Sequence, residues 1–168
     1  MRTALDLPVD GLDDRERVFV AAIREHGWFG VHVPADEDGP GFAYTTGFWV
    51  NAGQPELILF SINNDVAQAV FWDLFRAAKQ GVAVPLGRRI GTVFGGLPAY
   101  AFRVAERHQA DFLGWSRWFH QGAAFPCVQV VWPDRAGRFP WEARFDEDFR
   151  GDQPDLSESG WVNEVVDR

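Results

Sequence analysis

Apolar residues recur along this chain in two rhythms, one helical and one alternating. Val18, Phe19, Ala22 and Ile23 follow helical spacing, Asp13 or Asp14 offers a cap before them, and Gly27 after His26 offers a left-handed stop. The pattern predicts a helix over residues 13–26. Three extended stretches follow, 28–33, 42–49 and 56–62, separated by turn-rich runs whose lengths suit an antiparallel meander. The most regular stripe is Ala67, Val70, Phe71, Leu74, Phe75 and Ala78, capped by Asn63 or Asn64 and closed by Gly81, so this helix must lie on the sheet. Pro85 and Gly87 interrupt residues 82–93, which predict one or two weak strands. Gly95-Gly96 turns the chain into a stronger strand over 99–105, Asp111 caps a short helix through His120, and 126–132 reads as the last strand.

This order predicts an α+β fold, a mainly antiparallel sheet of about five to seven strands with about three helices packed on it. Residues 1–145 form one domain in this reading. Residues 146–168 form an acidic, loosely attached C-terminal tail, with Trp161 and Val162 as its anchors.

Charge sharpens the picture. The net charge is -8, and residues 142–168 hold nine Asp or Glu against three Arg, leaving the rest of the chain close to neutral. Acid placed this way reads as a solvated tail, and the balance argues against a nucleic-acid partner, whose backbone is bound by Lys and Arg. Fifteen Phe and eight Trp imply a ring-rich core, an aromatic-lined cavity, or both. One cysteine, Cys127, excludes an internal disulfide and any multi-cysteine metal site. No run of apolar residues suggests a leader or a membrane span, so a cytoplasmic protein with no membrane partner is expected.

Three separated motifs carry a resemblance: Gly41-Phe42-Ala43-Tyr44-Thr45-Thr46-Gly47-Phe48, Gln54-Pro55-Glu56-Leu57-Ile58-Leu59-Phe60, and the run from Phe125 to Trp141 that contains Trp132-Pro133-Asp134 and Phe139-Pro140-Trp141. Together they resemble the bacterial domain of unknown function 4262 family, over about residues 15–145. Thr46 and Phe48 stand where that pattern has an aliphatic pair. The resemblance implies the extent of the domain and brings no substrate, cofactor or catalytic residue with it.

Candidate chemistry therefore comes from the residues alone. In the second extended stretch Tyr44 and Thr46 present hydroxyls on one face, and Gly47 leaves room for a ligand or another backbone. Glu56 leads into a strongly apolar run; it is either an acid–base group or a carboxylate bonded to loop N–H groups or to Arg88, Arg89 or Arg103. Gln129, in mid-strand, either ties the sheet to a loop or reads a polar ligand. Asp134 fits an Asx-turn. The four histidines are dispersed and predict no metal site; His26 suits a helix C-terminus, whereas His108 and His120 are the better site candidates. Cys127 reads as an inert buried thiol. Trp115, Trp118 and Phe119 span more than one face of a short helix, so at least one ring is available to a cavity or partner.

The leading reading is a small-molecule or partner-binding domain whose aromatic-lined pocket draws on Tyr44, Thr46, Glu56, His108, Trp118 and Gln129. Its alternatives are a metal-independent enzyme using Glu56 or His108, a flavin-binding split barrel, and a homodimer built on exposed rings.

Overall fold

The computed structural model describes residues 1–167. Helix α1 (Asp14–His26) starts on Asp13, whose carboxylate accepts from Glu16 N while Glu16 returns the bond to Asp13 N, and it stops at Gly27 with φ of 89°. Strands β1 (Phe29–Val33), β2 (Phe42–Thr46) and β3 (Glu56–Phe60) form the expected antiparallel meander. Helix α3 (Asn64–Lys79), reached after a short helix α2 (Phe48–Ala52), is capped by Asn63. Then come β4 (Ile90–Phe94), β5 (Leu97–Arg103), α4 (Glu106–Phe112), α5 (Gly114–Phe119), β6 (Cys127–Val131) and α6 (Trp161–Glu164).

The six strands make one open sheet in the order β1-β2-β3-β6-β5-β4, antiparallel throughout except where β6 inserts parallel to β3. The α+β class and mainly antiparallel sheet are thus as the periodicity predicts. With β1 and β4 at its edges, the sheet does not close into a barrel. Strands β3 and β6 are buried at every position, which explains their unbroken apolar runs. Ala43, Leu57, Leu59, Ala101, Val128 and Val130 meet Val70, Phe71 and Phe75 of α3 on one face. Tyr44, Ile58, Phe60 and Cys127 face the other way, toward Leu113, Phe125 and Leu156.

The structure corrects several boundaries. Extended backbone over 42–49 stops at Thr46, because Gly47 takes φ of 119° and residues 48–52 turn into α2. The weak strands expected over 82–93 reduce to β4. The short helix expected from an Asp111 cap through His120 begins instead at Gly114 as α5, with Leu113 before it, and Asp111 lies in the last turn of α4 (Glu106–Phe112), a helix the periodicity does not predict.

The acidic segment is also held more firmly than its composition suggests. Gln129 donates from Nε2 to Pro154 O (2.7 Å) and accepts from Leu156 N (3.2 Å), so of its two readings the tie between sheet and loop is the one observed. Trp161 is buried over Phe102 and Trp141. Asp134 performs the expected turn and more: its carboxylate accepts from Ala136 N, Arg138 N, Arg138 Nε and Asp146 N.

Burial alone would push the Asp134 carboxyl up, but the N–H groups of Arg138, Asp146 and Ala136, with the Arg138 guanidinium, hold it below its ordinary value of 3.8. A carboxyl depressed in the folded state stabilises the fold above its unfolded pKa, and that contribution disappears as pH falls through the folded value. Urea denaturation followed from neutral pH downward should therefore show the wild-type protein losing stability below about pH 4 more steeply than Asp134→Asn. Parallel pH profiles for the two proteins would rule this role out.

Candidate functional site

Two of the three motifs, Gly41 to Phe48 and Gln54 to Phe60, are joined in one hydrogen-bonded unit. Turning the chain out of β2 into α2 leaves backbone N–H groups that have no partner within the helix. Glu56, at the start of the neighbouring strand, supplies it. Its Oε1 accepts from Gly47 N (2.9 Å) and Trp49 N (3.2 Å), and its Oε2 from Phe48 N (3.2 Å) and Thr45 Oγ1 (2.8 Å). Thr45 Oγ1 in turn accepts from Leu57 N at 2.9 Å, standing in for a ladder bond where β2 and β3 part. The carboxylate is fully buried and surrounded by four donors, which compensates the loss of water. Arg88, Arg89 and Arg103, the cations considered for it from sequence, do not touch it.

The same strand is pinned to α5. Tyr44 Oη accepts from Trp115 N (3.1 Å), Thr46 and Ser116 share a hydroxyl–hydroxyl bond of 2.7 Å, and Ser116 Oγ donates to Thr45 O (3.2 Å). Burial pushes the Tyr44 phenol up to about 12, outweighing the help of the Trp115 N–H. At the end of α5 the His120 ring is fully buried, stacked on Phe125 with centroids 4.4 Å apart. Its Nε2 lies 3.5 Å from Glu56 Oε1, yet neither ring nitrogen makes a hydrogen bond among the described residues. For Nε2 the reason is arithmetic: a carboxylate has about four lone-pair sites, and the four donors already bonded to Glu56 fill them. Cys127, the register partner of Glu56 across the parallel pair, completes the cluster. Burial pushes its thiol well up, and the Glu56 charge adds to that, so the reactive thiolate form is disfavoured.

Phe125 separates this cluster from solvent. Its outer side forms, with Trp49, one wall of a cleft of about 500 Å³ that also takes in Arg103, Glu106, Gln109 and Glu158. Gln109 Nε2 donates to Phe125 O (3.1 Å) and fixes that wall. Glu158 is paired with Arg107 at 2.7 Å. The side chains of Arg103 and Glu106 make no hydrogen bond or ion pair among the described residues.

The residues singled out from sequence therefore sit in different places. Tyr44, Thr46 and Glu56 share one buried network, Gln129 anchors the C-terminal segment, and Trp118 packs edge-on to Phe19 and Trp115 beside α1. His108 stands half-buried on α4 without a side-chain partner. The histidine beside Glu56 is His120. Trp49, Glu106 and Phe125 carried no sequence signal as a group: strand alternation extended through residue 49 points Trp49 to the wrong surroundings, and only the left-handed Gly47 could have warned of the turn. Among the described residues no three His, Cys, Asp or Glu come together as metal ligands, and no helix is long and apolar enough to cross a membrane.

The family model described as Domain of unknown function (DUF4262) matches residues 22–146, which contain the Glu56 network and most of the cleft. No curated protein and no solved structure matches the chain.

Proposed function

The chain belongs to the domain of unknown function (DUF4262) family, and we propose that it is a small-molecule-binding domain whose ligand occupies the cleft between Trp49, Phe125 and Arg103. One observation carries this reading: a guanidinium and a carboxylate without partners line, together with two aromatic rings, a cleft of about 500 Å³, within the range of known ligand pockets. The Arg103 fork suits a carboxylate, the rings of Trp49 and Phe125 suit a flat apolar body, and Glu106 suits a hydrogen-bond donor on the same molecule. Binding is favoured over acid–base catalysis because Glu56 and His120 are sealed behind Phe125 and each oxygen of the carboxylate already accepts two hydrogen bonds. The network's part is to hold α2, and with it Trp49, at a fixed place beside the cleft.

Anthranilate and benzoate are suitable probes. Calorimetric titration should show both binding, anthranilate more tightly. Arg103→Ala and Trp49→Ala should each weaken binding by about tenfold or more. Trp49 bonds to Glu56 through its backbone, so its truncation leaves the network intact. Absence of binding by either probe, or affinities indifferent to both substitutions, would overturn the assignment.

A further inference from the structure

A second cavity lies on the opposite face of the sheet. It encloses about 190 Å³ beneath the C-terminal half of α3, lined by Phe48, Leu57, Leu74, Ala78, Val84 and Val128. Its cover is the irregular segment Val82-Ala83-Val84-Pro85-Leu86. Backbone bonds pin this segment at its ends, Val82 N to Ala77 O (3.0 Å) and Gly87 N to Ala101 O (2.9 Å). Between those pins none of its N–H groups bonds to the described residues, so apolar contact alone holds it down. Val82 and Leu86 nonetheless stand 56% and 40% exposed, apolar side chains left half in water at the mouth. Such a cover lifts without breaking a protein hydrogen bond.

The lining decides what enters. The volume exceeds the ~150 Å³ of apolar cavities that stay dry and accept a benzene-sized guest, and is below the ~300 Å³ of drug-sized pockets. Branched aliphatic walls of this size suit a short hydrocarbon chain. No Arg, Lys or His lines the cavity, so a carboxylate drawn in with the chain would be buried without a cation. Gln54, on the lining, has a side-chain amide with no hydrogen bond among the described residues, offering two donors and an acceptor. We propose that this cavity is a binding site for the chain of a neutral medium-length acyl compound, an amide or ester, with Gln54 bonding its head group.

Octanamide and octanoate, titrated into the full chain at neutral pH and followed by calorimetry and methyl NMR, test this directly. Octanamide should bind and shift the Leu57, Leu74 and Val128 methyls, with octanoate about tenfold weaker or more. Gln54→Leu should remove most of that preference. Ala78→Leu, a good helix former that fills the space from α3, should abolish octanamide binding with circular dichroism unchanged. If that variant does not fold, Val84→Phe fills the same space from the cover. No binding of octanamide, equal binding of octanoate, or binding that survives a folded cavity-filling variant would each overturn the proposal.

Discussion

Glu56→Ala should cost about 3–5 kcal/mol of folding stability, measured by urea denaturation. The substitution removes a buried carboxylate and leaves Gly47 N, Phe48 N, Trp49 N and the Thr45 hydroxyl without their acceptor in a place water does not reach. Each buried donor left unpaired costs about 1–3 kcal/mol, and relaxation of α2 toward solvent recovers part of it. Glu56→Gln separates charge from shape. The amide keeps the volume and one acceptor oxygen, but its NH₂ must face N–H groups, so a loss of about 1–3 kcal/mol is expected, between wild type and Ala. The opposite outcome is as informative. A catalytic carboxylate on a self-sufficient scaffold could be removed with a change under about 1 kcal/mol, and that result would return Glu56 to the candidate acid–base groups.

The sequence made this residue conspicuous and left its partner obscure, and the reason is physical. A carboxylate at the head of Glu56-Leu57-Ile58-Leu59-Phe60 must be compensated, which is legible from one dimension. Backbone N–H groups are present at every position, so nothing marks those of Gly47, Phe48 and Trp49 as the compensation; they become available only because Gly47 breaks the strand. Periodicity located α1 and α3 nearly to the residue, since Asp13, Gly27 and Asn63 are chemical end-markers. It misses α4, whose N-cap Ala105 offers no side-chain cap, and takes Asp111, a residue inside α4, for the start of the helix that begins at Gly114. In residues 146–167 the Trp161 anchor is legible as an isolated ring, whereas the docking of Leu156 is hidden by the acidic composition around it. The aromatic excess predicts a ring-rich core, an aromatic-lined cavity, or both. Most rings do stack on one another inside, and Trp72 is the single ring among the exposed large hydrophobics of the described residues. The cleft draws on α2, the run from the end of β5 into α4, the loop before β6 and Glu158, stretches far apart in sequence that no local pattern connects.

Gly47→Ala should be destabilising by about 3 kcal/mol or more, well beyond the usual effect of adding a methyl group. Gly47 has φ of 119°, and a Cβ there would fall 2.5 Å from Gly27 O and 2.9 Å from Trp28 Cα. Both are backbone atoms, and Asn51 Nδ2 holds the same Gly27 O at 2.7 Å, so the end of α1 is clamped against the start of α2 from two points. Gly53→Ala is the control. That glycine is also left-handed, with φ of 64°, but nothing stands within 4 Å of its Cβ position, leaving only a conformational term of about 1–2 kcal/mol. The difference between the two variants in urea denaturation isolates the backbone clash. Equal losses would mean that α1 and α2 yield freely, and the Glu56 network could then not hold Trp49 in place. If instead Gly47→Ala is much the worse, the same displacement must pull α2 away from Glu56. Arg103 lies outside the clash, so the weakened binding of anthranilate expected of this variant at a temperature where it is still folded would trace to the Trp49 wall rather than to the guanidinium.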